Sequence, residues 1–263
     1  MLRVGRGGQD GGRRAPVSLD GVTLGIPGRA APGSATPGRT APVARISRSA
    51  LDLNLRAVLS STRSALIDVR ADAWGHGLAF VAAAALRSGA AGLLVDDGGA
   101  AELAGTLDPA RVVLSGEATA PEAVYGLTAG FTPVLSLHGS VLSLKRLRRG
   151  EGVSYGYTHR APRDTVVALV TGGYAQGIVR SLGNAASVMI AGERHPIIGR
   201  VAMDVCVVDV GADSGVSRGD EVVYFGGPGE ASPVLSEWTD ASGLTAGELV
   251  TTIGLRNDRE YVA

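Results

Sequence analysis

Apolar positions along this chain recur at two spacings, and the change from one to the other falls near residue 138. Order begins near Val43. Ser49-Ala50-Leu51-Asp52 reads as a capping box, after which Leu51, Leu55, Val58 and Leu59 follow at helical spacing on one face. The apolar run 65–69 has strand length. Gly75 and Gly77 then mark a tight loop ahead of an alanine-rich helix over Leu78–Arg87. Strand signals return at 91–95, 111–114 and 132–137, with helices predicted over 98–104 and 121–127. Short apolar strands alternating with helices predict a parallel sheet. Four strands are expected within residues 45–139, whereas a complete eight-stranded βα barrel takes about 250 residues. A barrel here would be roughly half of one.

Beyond His138 the pattern alternates in the manner of strands. Segments 166–170, 186–190, 197–201, 205–210 and 221–225 read as β, separated by Gly172-Gly173, Ala191-Gly192, 211–215 and Gly226-Gly227. A helical finish is expected at Ser236-Glu237-Trp238 and over 247–253. Residues 140–263 therefore read as an antiparallel β domain. Residues 1–44 hold ten glycines, five prolines and six arginines against two aspartates. That mixture buries too little apolar surface to offset its ordering entropy, and a disordered tail is expected.

Composition narrows the classes. Of 263 residues 45% are apolar, ample for a core. Twenty-five basic and 25 acidic residues cancel, so no global charge argues for nucleic acid or a membrane surface. No apolar run reaches the length of a membrane span, and the N-terminus lacks the continuous apolar core of a signal peptide. Cys206 is the single cysteine, which excludes an internal disulfide and fits a reducing cytoplasm. His138, His159 and His195 lack metal-like spacing with cysteines or carboxylates, so no metal site is expected.

The candidate chemistry sits in Val69-Arg70-Ala71-Asp72-Ala73-Trp74-Gly75-His76-Gly77. This run resembles the pyridoxal-phosphate-anchoring motif of the alanine racemases, there Lys-Ala-Asn/Asp-Ala-Tyr-Gly-His-Gly. Further blocks carry the resemblance onward. Gly152-Val153-Ser154-Tyr155-Gly156 is similar to the block with the family's catalytic tyrosine, and Gly173-Tyr174-Ala175-Gln176-Gly177 to its Gly-Tyr-Ala-Asp-Gly segment. Pro196-Ile197-Ile198-Gly199-Arg200-Val201-Ala202-Met203-Asp204 is close to its Pro-Ile-Val-Gly-Arg-Val-x-Met-Asp block, and Gly219-Asp220-Glu221-Val222-Val223 continues in register.

The resemblance implies a βα (TIM-type) barrel, here truncated to residues 45–139, followed by a C-terminal β domain over 140–263. It implies pyridoxal 5'-phosphate as cofactor, alanine as substrate and interconversion of L- and D-alanine. It implies a dimer whose site joins one subunit's barrel to the other's β domain. Tyr155 would be a catalytic base; Trp74, His76 and Gly77 would line the cofactor; Tyr174, Met203 and Asp204 would hold the substrate. Arg70 occupies the position of the Schiff-base lysine. An unprotonated amine condenses with an aldehyde, whereas a guanidinium stays charged and offers only donors. Lys145 is the one lysine in the chain.

Three readings follow: a racemase-defective member of the family, pairing with itself or with a complete racemase; a racemase using non-covalently held cofactor; and a module binding an anion at the Gly75–Gly77 loop. Plainer roles stand beside these. Tyr155 could be a core or interface residue, Arg70 the ion-pair partner of Asp72 or Asp97 or a contact to a ligand anion, and His76 a donor that orders its loop. Lys145 could simply tether the domains within the basic run 145–149.

Overall fold

The computed structural model describes residues 40–62, 64–227 and 232–263, together with the backbones of two short strands, β1 (Ala15–Leu19) and β2 (Val22–Ile26). Those two pair antiparallel, Ala15 opposite Ile26 and Leu19 opposite Val22. The segment read as a disordered tail thus contains a hairpin. The rest of that reading, over residues 1–39, lies outside the described residues.

The first half is built of β3 (Val43–Ser47), α1 (Arg48–Ser60), β4 (Leu66–Asp68), α2 (Arg70–Trp74), α3 (Leu78–Arg87), β5 (Gly92–Leu94), α4 (Asp97–Leu103), β6 (Val112–Val113) and α5 (Pro121–Val124). Strands β4, β5 and β6 form a three-stranded parallel sheet, Leu66 opposite Gly92 and Leu93 opposite Val112. Helix α1 buries Leu51, Leu55 and Val58, the face its spacing predicts. Its cap is Ser47, whose hydroxyl accepts from the Ala50 N–H at 3.2 Å, rather than a Ser49 box. The capping side chain must precede the first helical residue, and Ser49 lies inside. Helix α3 is buried at eight of its ten positions, the mark of a helix surrounded by protein.

The second half comprises β7 (Leu135–Leu147), β8 (Gly152–Val153), β9 (His159–Arg160), β10 (Thr165–Thr171), β11 (Ser187–Ile190), β12 (Glu193–Ile198), β13 (Val205–Asp209), β14 (Glu221–Phe225), α6 (Leu235–Ser242), α7 (Ala246–Arg256) and β15 (Asp258–Val262). Strands run β10-β13-β12-β11-β14-β7, and β7 pairs again with β10, closing a six-stranded barrel. Closure removes the free edges of an open sheet. Strand β12 starts earlier than its apolar run predicts, because the turn at Ala191-Gly192 opens the hairpin and Gly199, at φ +71°, ends it. The expected fourth parallel strand is also corrected. Leu135–Leu137 opens β7, which runs antiparallel to both β3 and β14.

Strand β3, early in the chain, therefore belongs to the larger sheet, where it also pairs in parallel with β15, Val43 opposite Asp258. The two halves share one continuous core, from Leu51 and Phe80 to Val208 and Trp238. Helix α7 starts at a capping box, Thr245 accepting from the Glu248 N–H while Glu248 accepts from the Thr245 N–H. It carries glycines at 247 and 254, seven residues apart and so on one face. A Cβ at Gly247 would lie 2.8 Å from the Trp74 ring, and one at Gly254 would lie 2.1 Å from the Gly75 carbonyl oxygen. Those glycines let α2 seat directly on α7.

Candidate active site

Four consecutive residues of α2 without a glycine among them, Ala71, Asp72, Ala73 and Trp74, have φ between +51° and +55°. Together with Gly75 at φ +77° they form a left-handed turn. For L-residues this costs about 1–2 kcal/mol each, so the surroundings must hold it. They do so from three sides. Asp96 accepts from the Ala71 N–H at 2.8 Å and the Gly99 N–H at 2.7 Å, which holds its carboxyl below the usual range. Asp72 accepts from the Leu78 N–H at 2.6 Å and forms an ion pair with Arg259 of β15. Arg259 also donates to the Gly75 carbonyl at 3.1 Å, and Tyr261 to that of His76 at 3.3 Å.

Arg70 opens this turn. Its guanidinium donates to Asp68 from Nε at 2.9 Å and from a terminal nitrogen at 2.6 Å, a two-pronged ion pair, while its own backbone N–H donates to the same carboxylate at 3.1 Å. The Asp68 side chain is 2% exposed and that of Arg70 50%. The hydrogen bonds to Asp68 raise the Arg70 pKa further. Its partner is thus Asp68, neither Asp72 nor Asp97. The sequence carried a signal for this. Asp68 interrupts the apolar run Leu66 to Val69, and a carboxylate at the end of a buried strand requires a nearby cation.

Trp74 stacks on Tyr125, ring centroids 5.2 Å apart, and His76 lies 4.5 Å from the same ring. Tyr125 is fully buried, donates to the Asp68 carbonyl at 2.5 Å, and has its pKa pushed well up by burial. His76 is also fully buried. Its Nδ1 lies 2.9 Å from the Trp74 carbonyl oxygen and 3.1 Å from that of Ala73, so it carries the proton, while Nε2 has no partner. Burial drives its pKa down to about 4. Gly77, at φ +98°, takes the Tyr261 hydroxyl where a Cβ would stand. The Ala73 N–H donates to the Val69 carbonyl, and those of Gly75, His76 and Gly77 donate to carbonyls of the turn itself. That arrangement gives no support to an anion cradle at the Gly75–Gly77 loop.

The β-domain candidates gather elsewhere. Tyr174 donates its N–H to the Ala202 carbonyl, Ala175 to that of Met203, and Gln176 donates from its side chain to Asp204 at 3.0 Å. The Arg180 guanidinium lies over the Tyr174 ring at 4.2 Å. Ser154 donates to the Arg200 carbonyl at 2.6 Å, tying the Tyr155 loop to the same strand connection. Tyr155 is 88% exposed and Met203 55%, so neither is a core residue.

Helix α7 stands between the two groups. Gly75 meets Val250, Thr251 and Gly254, whereas Gly177 meets Thr252 and Ile253. At 100° per residue these are opposite faces of the helix. Arg256 and Asn257 bind the Tyr174 and Gln176 carbonyls on the far side. Within one chain, then, Tyr174 and Arg70 are separated by a helix. Among the described residues no group of three or more His, Cys, Asp or Glu could hold a metal, and no helix is long and apolar enough to cross a membrane.

This architecture is that of the alanine racemases. The Streptomyces lavendulae enzyme superposes with a TM-score of 0.75 at 23% identity, covering 86% of this chain and 98% of that one. The Bartonella henselae alanine racemase, solved with covalently bound pyridoxal phosphate, gives 0.73 at 17% over 84% and 99%. At such identities the likeness is one of fold. Sequence narrows it: residues 134–261 match the model of the alanine racemase C-terminal domain. The alanine racemase of Thermobifida fusca is 40% identical over 146 residues, 53% of this chain and 39% of the relative. That of Mycobacterium tuberculosis strain H37Rv is 42% identical over 147 residues, 53% and 38%. The chain thus matches less than two fifths of the length of these curated relatives.

Proposed function

We propose that this chain is a racemase-defective member of the alanine racemase family, with a shortened parallel barrel and an intact C-terminal β domain that assembles with a second subunit. The observation that carries this reading is the Arg70–Asp68 ion pair. At the anchoring position stands a guanidinium, held by a buried carboxylate in two hydrogen bonds. The remaining residues also fail to fit covalently attached pyridoxal phosphate. Trp74 has no hydroxyl to offer a phosphate, and its ring is stacked on Tyr125 and pressed on Gly247. The backbone donors of the turn are already engaged. The lone lysine, Lys145, lies on β7 of the other half.

What the β domain retains is exposed. Tyr155, Met203 and the Tyr174 loop lie across α7 from Arg70, so they could reach a barrel site only in a partner subunit. That partner is a second copy or a complete alanine racemase, to which the chain would lend Tyr155. A single, buried cysteine, Cys206, accords with residence in the cytoplasm.

A second reading, a racemase working on alanine with loosely held cofactor, rests on the exposed Tyr155 phenol. One experiment separates the two. The protein is purified with added pyridoxal phosphate, its absorbance recorded, borohydride added, and D-alanine formation from L-alanine measured, for the parent and for Arg70→Lys. We expect no retained chromophore, no covalent adduct at the Arg70 turn and no turnover by the parent. D-alanine formation by the parent would establish the second reading and overturn the first.

A further inference from the structure

The chain has no net charge, yet residues 145–164 do not share that balance. Lys145, Arg146, Arg148, Arg149, Arg160 and Arg163 face only Glu151 and Asp164. Both carboxylates are occupied with backbone. Glu151 accepts from the Arg148 N–H at 2.9 Å and Asp164 from the Arg149 N–H at 2.8 Å, so together they cap the turn that joins β7 to β8. Among the described residues neither Lys145 nor Arg160 has an ion-pair partner.

These two cations border one concavity of about 310 Å³ between β7 and the β8–β9 hairpin, lined by Lys145, Leu147, Glu151, Gly152, Tyr157 and Arg160. Its wall is built rather than incidental. Tyr157 sits at φ +47°, a conformation few bulky residues adopt, and Ser154 at +60° and Gly156 at +80° precede it. The ring of Tyr157 is laid against Gly152, where a Cβ would come within 2.2 Å of it. Arg160 lies 5.9 Å from the same ring and donates one nitrogen to the Gly150 carbonyl at 3.0 Å, which fixes the guanidinium while leaving its other donors free. Buried Leu147 forms the floor.

We propose that this concavity is a binding site for a small phosphate-bearing ligand, its anionic oxygens held between the Arg160 guanidinium and the Lys145 ammonium. A guanidinium fork offers two parallel donors to such an oxyanion, and an ammonium adds a point charge. The surrounding excess of cations concentrates anions at the mouth. The concavity lies within the matched C-terminal domain. Lys145 and Arg160 are not among the residues read as catalytic, cofactor-binding or substrate-binding, and the site does not depend on whether the chain racemises anything.

Because Lys145 is the only lysine, selective lysine labelling gives a single side-chain resonance from the full chain. Titration with inorganic phosphate should move that resonance saturably, while sodium chloride at matched ionic strength should not. Arg160→Gln should weaken binding at least tenfold, and Arg160→Lys by less. Gly152→Ala, which displaces the Tyr157 ring, should also weaken it with both cations in place. A resonance that never moves, moves equally with chloride, or responds to phosphate unchanged in Arg160→Gln would overturn the proposal. So would a phosphate response accompanied by a change in oligomeric state, because the anion would then be acting on a contact between copies. Circular dichroism confirms that each variant is folded, so a loss of binding reports the site.

Discussion

Removing the cation from the Arg70–Asp68 pair by Arg70→Met keeps most of the apolar stem and leaves the 2% exposed Asp68 carboxylate facing two lost donors. Breaking a fully buried pair costs about 3–5 kcal/mol. Here the arginine is half exposed, and water screens part of the interaction, so about 1–2 kcal/mol is expected. For a chain of this length that lowers the melting temperature by about 2–8 °C. Asp68→Asn should cost less, because the freed guanidinium is able to hydrate. The double variant should resemble Asp68→Asn alone, giving a coupling of about 1 kcal/mol in a double-mutant cycle. Urea unfolding followed by circular dichroism measures all four proteins. If Arg70→Met unfolds at the parent's midpoint, or the two substitutions add without coupling, the pair does not hold the turn as argued.

His76 supplies a pH dependence whose sign follows from its lowered pKa, about 4 in the folded chain against 6.5 free. Above pH 6.5 it is neutral in both states. As pH falls from 6.5 towards 4 only the unfolded chain takes the proton, so up to about 3 kcal/mol of stability is lost over that window. A His76→Gln variant should flatten that slope in urea midpoints; an unchanged slope would show that His76 does not cause it. Glu221, held down to about 2 by His138 and Arg45, acts in a lower window, its contribution fading from pH 4.5 towards 2. Gly75→Ala should destabilise by about 2–4 kcal/mol, because its Cβ would come within 2.8 Å of the Thr251 carbonyl oxygen at φ +77°. A substitution at Gly89, also at positive φ with nothing within 4 Å, should cost clearly less when both are compared by thermal unfolding. Tyr155→Phe should leave the melting temperature unchanged, since the ring is exposed.

Where a single local rule governs, the sequence was readable. Helix α3 spans the alanine-rich stretch its composition predicts, β14 coincides with the Glu221–Phe225 run, and Leu51, Leu55 and Val58 face inward. The Thr245-x-x-Glu248 capping box is an equally local signal. Features made by distant parts of the chain were not accessible in this way. Nothing local marks Ala71 to Trp74 as left-handed, because the conformation is imposed by Asp96, Arg259 and the two glycines of α7. Likewise 132–137 has the look of another barrel strand, and only the pairing of β7 with β3 and β14 places it elsewhere. As for the site, the motif residues were found in the sequence. Their division by α7 was not, since the opposed contacts of Gly75 and Gly177 exist only after folding.

The parallel pairing of β3 with β15 joins residues some 215 positions apart, as in the Arg45–Glu260 contact. During synthesis at about 5–20 residues per second, β3 waits roughly ten to forty seconds before its neighbour emerges. Throughout that interval one flank of β3 is unpaired, and Asp72 lacks Arg259 to brace its turn. The nascent chain therefore passes through a vulnerable stage in which a ribosome-associated chaperone has more to protect than in the finished protein.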